Sequence, residues 1–367
     1  MTRLRLAVLT GATALLACNE GTNASAGSEG GSSAAETTAV GGTSTGAPTT
    51  STTATTSAAT TASTTTTTAG ADTTADGGSS ESTDTGVNVR GEVRFVALGD
   101  AGEGNEAQAE VGQMIATVCE ERGCDFALYL GDNFYDTGVS SADDVQFETK
   151  FETPYEPVDL TFHITLGNHD YGALANEWEK AAYYIEYSAN NPKFSLPSQY
   201  YSFQSEHVHF VSLDTSQIFW SHEVDAQRQF LQTDLAGLSG WKIAFGHHPY
   251  ISAGEHGNAG NYEGLGGIFG GGNVRDFFED EICGKVDVYI CGHDHSRQWL
   301  TSDCGTDFIV SGAGSKLDDL PNRDDVAFEY AENETEGFLW VEIIDESFTG
   351  IFFDRMGNAQ YERTITL

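Results

Sequence analysis

The stretch Tyr129-Leu130-Gly131-Asp132-Asn133-Phe134-Tyr135 decides how this chain is read. An apolar run from Phe126 to Leu130 has the pattern of a buried strand, stops at a glycine, and is followed by a carboxylate and a phenol three positions apart. Buried strands of open α/β sheets end in the crevice where ligands bind, so both oxygens are expected in a site. Four other apolar segments end alike, in Gly99-Asp100-Ala101-Gly102, Gly167-Asn168-His169-Asp170, Gly246-His247-His248-Pro249 and Gly292-His293-Asp294-His295.

Outward from that stretch, Val93 to Leu98 reads as a strand, and Asn105 caps a helical pattern that runs through Val111, Met114, Ile115 and Val118 to near Gly123. Strand, helix, strand in this order implies a right-handed crossover and a parallel pair. Asp100 and Asp132 then share one sheet edge. Asp143 to Phe151 has helical spacing, Thr161 to Leu166 is a strand, and alternation in Tyr200 to Leu213 predicts two strands around Glu206 with Asp214 at their end. A helix from about Val224 to Leu238, a strand from Trp241 to Phe245, a helix from Asn273 to Ile282 and a strand from Val286 to Ile290 follow. From Phe308 the pattern is mainly β, to Thr364–Leu367. The Gly-rich, nearly uncharged segment between His256 and Asn273 is expected to be a mobile loop beside the site.

The strand ends gather two kinds of donor. Asp100, Asp132 and Tyr135 offer oxygen to a hard, highly charged ion, whereas Asn168, His247, His293 and His295 suit a divalent transition metal. Seven donors are too many for one cation. Two cations roughly 3.5–4 Å apart can hold both the attacking and the leaving oxygens of a displacement at phosphorus. Asp170, Asp294 and Asp214 are candidates for orienting the imidazoles. His248 is assigned to packing, His163 to a core strand, and His207, His209 and His222, which have no motif around them, to solvent. A Gly-Asp turn can also be a plain helix cap; five such ends with four histidines favour the cation reading.

Those five blocks, in this order, resemble the metallophosphoesterase motifs, and Tyr135 three residues after Asp132 resembles purple acid phosphatases of the small, tartrate-resistant type. Cys291 to Leu300 and Val310-Ser311-Gly312-Ala313-Gly314 are similar to that type as well, so the resemblance covers about Val93 to Leu367. It implies a four-layer αββα sandwich of two mixed sheets flanked by helices. It also implies that Asp100, Tyr135 and His295 bind Fe(III), that Asp132 bridges, and that Asn168, His247 and His293 bind a divalent Fe, Zn or Mn. The family's chemistry is attack by a metal-bound hydroxide on a phosphate monoester. His169 would then act on the leaving oxygen or the transferring phosphoryl group, and His256, in Gly254-Glu255-His256-Gly257, would be a second substrate-side histidine. The Gly-rich loop after His256 looks longer than in the animal enzymes and the stretch after Asp214 shorter than their regulatory loop.

The N-terminus sets the compartment. Thr2-Arg3-Leu4-Arg5, the apolar run Leu6 to Ala17 and Cys18 form an export signal too short to span a bilayer, and Leu15-Leu16-Ala17-Cys18 resembles a bacterial lipoprotein box. The expected organisation is a signal over residues 1–18 with lipid on Cys18, a tether over 19–88 and a catalytic domain over 89–367. The Thr/Ser/Ala/Gly composition of 19–88 cannot bury enough apolar surface to offset its chain entropy, so disorder is expected there. Of the six cysteines, five follow Cys18. They contain no C-x-x-C pair, which argues against a zinc knuckle. Outside the cytoplasm Cys119 with Cys124 and Cys283 with Cys304 are candidate disulfides, with Cys291 a buried core residue.

The formal net charge of −38 argues against nucleic acid or an anionic membrane surface as a partner. It is compatible with a small anionic ester only if bound cations dominate the local field. The expected protein is an exported phosphomonoesterase of the bacterial envelope acting on a small phosphate ester. Two rivals remain: a phosphodiesterase or nucleotide pyrophosphatase on the same scaffold, and a non-catalytic metal-binding surface lipoprotein.

Overall fold

The computed structural model describes residues 91–302, 304–322, 324 and 326–367, and the expected signal and tether lie outside them. Two seven-stranded mixed sheets make up the described chain. In chain order the strands are β1 (Glu92–Leu98), β2 (Phe126–Leu130), β3 (Phe162–Thr165), β4 (Phe194–Ser195), β5 (Tyr201–Ser205), β6 (Val208–Ser212), β7 (Lys242–Phe245), β8 (Val288–Cys291), β9 (Arg297–Leu300), β10 (Asp307–Ser311), β11 (Phe328–Glu332), β12 (Gly337–Ile344), β13 (Ser347–Asp354) and β14 (Ala359–Thr366). The helices are α1 (Glu106–Arg122), α2 (Ala181–Asn190), α3 (Thr215–Phe219), α4 (Val224–Asp234) and α5 (Gly272–Glu281).

The first sheet runs β14-β13-β12-β1-β2-β3-β4 and the second β11-β9-β10-β8-β7-β6-β5. Each contains four consecutive parallel strands, β1 to β4 in the first and β10-β8-β7-β6 in the second. Within each parallel run the carboxyl ends point one way, so the loops bearing the candidate ligands leave from shared edges. α1 starts at Asn105, whose side chain accepts from the Gln108 amide at 2.9 Å, and stops at Gly123, where φ is 83°. That is the capping the sequence predicts.

Strand alternation explains how the layers hold. In β8, Val288 and Ile290 enter the core shared by the sheets, while Tyr289 and Cys291 enter a second core. β7 divides the same way, Ile243 and Phe245 against Ala244. The shared core is strongly aromatic: Phe95 meets Phe210 edge-on at 5.4 Å, and Phe203 stacks on Phe210 at 4.9 Å. The second core lies under α3, α4 and α5, through Ile218, Leu231 and Phe277. On the first sheet's other side α1 contributes Val111 and Ile115. Apolar faces on both sides of each sheet, covered by helices, give the expected αββα order.

Several expectations change in detail. Asp143–Phe151 is not a helix of that length; only Glu148–Glu152 forms a wide turn. α4 ends at Asp234 instead of Leu238. The Gly-rich segment is anchored rather than loose, because Tyr262 is buried, its hydroxyl donates to the Pro249 carbonyl and its ring stacks on Phe219. Cys119–Cys124 and Cys283–Cys304 are disulfides, and Cys291 is buried and free.

Candidate metal centre

The turn after each strand is sharp, and three expected ligands take left-handed backbone there: φ is 56° at Asp100, 52° at Asp132 and 71° at His293. Such backbone is uncommon for residues other than glycine and collects at functional sites, where the surroundings over-determine it. The glycine before a ligand is needed for a different reason, close approach. A Cβ on Gly167 would lie 2.1 Å from Asp132 Oδ1, and one on Gly292 would lie 2.3 Å from Asp100 Oδ2. These two blocks are thus shaped around a carboxylate from another block.

The donor atoms fall into two groups. In the first, the Tyr135 hydroxyl donates to Asp100 Oδ1 at 3.1 Å and lies 3.1 Å from His295 Nε2, while His295 Nε2 and Asp100 Oδ1 are 3.5 Å apart. In the second, Asn168 Oδ1 lies 2.9 Å from His247 Nε2 and 3.1 Å from His293 Nδ1, and the two imidazole nitrogens are 3.2 Å apart. Asp132 Oδ1 is 3.4 Å from His247 Nε2. Asp100, Asp132 and His247 also approach as one set within 4.8 Å.

These separations test whether cations fit. Donors about 2.1 Å from a common ion are roughly 3.0 Å apart along an octahedral edge and roughly 3.4 Å along a tetrahedral one. The observed 2.9–3.5 Å matches both. The first group is two oxygens and a nitrogen, the second one oxygen and two nitrogens, the asymmetry expected of two unlike ions.

Surrounding groups fix the ligands. His247 Nδ1 is 3.0 Å from the Leu130 carbonyl, which makes it the donor and leaves the Nε2 lone pair facing Asn168 and Asp132. His295 Nδ1 pairs with Asp318, which directs Nε2 toward Tyr135. The His293 amide donates to Asp100 Oδ2 at 2.8 Å, and the His169 amide to Asp132 Oδ1 at 2.9 Å. Burial alone would raise the Asp132 carboxyl, but His247 and His169 outweigh it and bring the pKa down to about 2. Burial would likewise lower His295, yet Asp100 and Asp318 carry it up to about 10. Burial, with Asp100 and Asp132 close by, pushes the Tyr135 phenol well up. Around Asp100, Asp132 and Tyr135 the carboxylates favour positive charge, which a cation supplies in place of protons, while burial beside His256, His248 and His247 pushes the His293 imidazole well down.

The substrate-side histidines flank this pocket. His169 Nε2 is 3.9 Å from Asp132 Oδ2, its Nδ1 is 2.5 Å from the Asp136 carbonyl, and its ring lies against Tyr135. His256 stacks on His293 with ring centres 4.1 Å apart, and its amide donates to Asp294 Oδ1. The structure therefore brings together all nine expected site residues.

The three orienting carboxylates prove to be something else. Asp170 accepts from the Gly167 and Asn133 amides and the Tyr184 hydroxyl, tying the β2 and β3 loops together. Asp214 caps α3 and accepts from Tyr171 and Gln217. Asp294 holds the His256 backbone. Asp170 and Asp214 are taken up by backbone, amide and hydroxyl donors, and Asp294 by the His256 amide, so none of the three holds a ligand imidazole. The residue that does hold an imidazole, Asp318, follows the Gly312-Ala313-Gly314 segment and carries no spacing signal tying it to His295. His207, His209 and His222 are half-buried rather than solvent-exposed: His207 reaches the Asp345 carbonyl, His209 pairs with Asp234 at 2.6 Å, and His222 stacks on Trp178. His248 is buried, packed on Phe219 with Nδ1 2.9 Å from the Thr215 hydroxyl, and stays outside both donor groups.

Two mixed sheets whose parallel strands end in two adjacent donor groups define a metal-dependent phosphoesterase scaffold, and residues 93–297 match the calcineurin-like phosphoesterase family, to which the chain belongs. Within it, the chain is 30% identical over 309 residues to tartrate-resistant acid phosphatase type 5 of Sus scrofa, covering 74% of this chain and 86% of the relative. It is 28% identical over 303 residues to purple acid phosphatase 4 of Arabidopsis thaliana, covering 75% and 84%. Among solved structures, GAP50 of Plasmodium superposes with a TM-score of 0.62 at 20% identity, over 75% of this chain and 89% of that one, a likeness of fold.

Proposed function

We propose that the protein is an exported, lipid-anchored acid phosphatase that hydrolyses phosphate monoesters at an Fe(III)–M(II) centre, with M being Fe, Zn or Mn. The observation that carries the reading is the pair of three-donor groups with Asp132 beside them, one containing a phenol. Asp100, Tyr135 and His295 would hold the ferric ion, Asn168, His247 and His293 the divalent one, and Asp132 would lie between them. When bound, such a pair activates water as a nucleophile and neutralises charge on the transferring phosphoryl group.

The protein's own groups supply the rest. His169, next to Asp132, can donate to the leaving oxygen from Nε2–H of its imidazolium, while its Nδ1–H donates to the Asp136 carbonyl and fixes the ring. His256, packed on His293, would bind the ester's free oxygens. The names of the relatives, acid phosphatases, support a monoester over a diester. The chain's N-terminal signal pattern, with Cys18 after a small residue, supports export and lipid attachment.

The test is metal analysis of the purified protein, its visible spectrum, and turnover of p-nitrophenyl phosphate against bis-p-nitrophenyl phosphate. Two metals per chain, iron among them, a visible band and preference for the monoester are expected. Faster diester turnover would overturn the substrate, and a colourless, iron-free active protein would overturn the ferric assignment. Metabolic labelling with a fatty acid, lost in Cys18→Ala, tests the anchor; an unlabelled wild type would refute it.

A further inference from the structure

Glu263 stands out because both its backbone and its side chain are committed. It has φ 56° in a loop that places glycine at Gly257, Gly260, Gly264, Gly266, Gly267 and Gly270 to Gly272, yet this left-handed position is not glycine. Its carboxylate meets His256 Nδ1, and its amide donates to the His256 carbonyl at 3.0 Å. The loop does not need this pair to stay folded, since Tyr262 next to it is buried and tied to Pro249. The Glu263 side chain is 34% exposed, and an ion pair so placed contributes little to stability, while left-handed backbone at a non-glycine residue costs. What sets Glu263 apart from the other left-handed residues is that its carboxylate meets the ring stacked on His293.

We propose that Glu263 is a positioning residue for the phosphate-binding histidine. By accepting a hydrogen bond from Nδ1–H of the His256 imidazolium, it fixes the ring against His293 and leaves Nε2–H to donate to the anionic oxygens of the ester. The Gly-rich loop is then a strap, and its one carboxylate beside the site completes a Glu–His pair. This rests on the monoesterase reading above.

The experiment compares wild type, Glu263→Gly, Glu263→Gln, His256→Ala and the Glu263→Gly/His256→Ala double variant, all loaded with metal. Inorganic phosphate binding is measured by calorimetry, and kcat and KM with p-nitrophenyl phosphate. Glu263→Gly relieves the φ strain, so its Tm is expected to equal or exceed that of wild type while phosphate binding and kcat/KM fall about tenfold, chiefly through KM. Glu263→Gln, which still accepts from Nδ1, is expected to recover part of the loss. In the His256→Ala background, Glu263→Gly is expected to cost nothing more. A structural role would instead lower Tm and act equally in both backgrounds, overturning the proposal; so would unchanged phosphate binding in Glu263→Gly or in His256→Ala. Phosphate binding that depends on Glu263 in a protein inert toward every ester would keep this inference and sink the monoesterase reading alone.

Discussion

Replacing His163 by phenylalanine is expected to protect the fold against acid. His163 lies in β3, stacked on Phe203 at 3.8 Å with an interplanar angle of 10° and edge-on to Phe126, and its buried Nδ1 has no partner among the described residues. Burial lowers its pKa from 6.5 to about 4. The unfolded chain therefore binds one more proton than the folded chain between those values. The stability that the neutral ring permits is complete above pH 6.5 and is lost as the pH falls toward 4. At pH 5 the loss works out at about 2 kcal/mol, because a 2.5-unit shift is worth at most about 3.4 kcal/mol and is not yet fully expressed there. Phenylalanine keeps the ring stack and removes the proton site. The assay is urea unfolding of both proteins at pH 7.5 and pH 5. The stability gap in favour of His163→Phe should widen by about 2 kcal/mol at the lower pH, about 4 °C in Tm for a domain of this size. A gap that stays constant with pH would refute the argument, since a simple packing change has no reason to follow protons.

Other perturbations address the centre directly. Tyr135→Phe removes the phenol that lies 3.1 Å from both Asp100 and His295, so the visible band should vanish while the divalent metal, measured by mass spectrometry, stays. Asp318→Asn weakens the hold on His295 Nδ1 and is expected to lower metal affinity 10- to 100-fold in chelator competition, with Asp319→Asn, on an exposed neighbour, as the silent control. His169→Ala should cut kcat roughly 10²- to 10⁴-fold with both metals retained; full activity would remove it from the reaction. Replacing Cys283 and Cys304 together opens a link of sequence separation 21 and should cost about 3 kcal/mol in denaturant unfolding.

The parts of the site that could be read from sequence are those where chemistry restricts the residue type and the fold restricts its place. Asp100, Asp132, Asn168, His247 and His293 each come immediately after a glycine at the end of an apolar run, where the chain passes close to a side chain from another block: a carboxylate at Gly167 and Gly292, the His247 ring at Gly131. Tyr135 was readable from its offset to Asp132. Asp318 and Glu263 were not, since each acts on a single histidine from a loop whose path depends on tertiary packing. The same cause misled the reading of Asp170, Asp214 and Asp294: adjacency to a ligand in sequence does not say which donor reaches a carboxylate first. The helical spacing of Asp143–Phe151 is realised only over its second half, where Phe147 and Phe151, four residues apart, both pack against Phe194.

The pairing of Tyr135 with His295 spans 160 residues, and that of Asp100 with the His293 amide 193. A chain emerging from the ribosome thus carries Asp100, Asp132 and Tyr135 long before it carries either of the last two imidazoles. Both donor groups therefore stay incomplete until His293 and His295 have been added. Any truncation ahead of Gly292 removes His293 and His295 together and leaves each donor group one imidazole short.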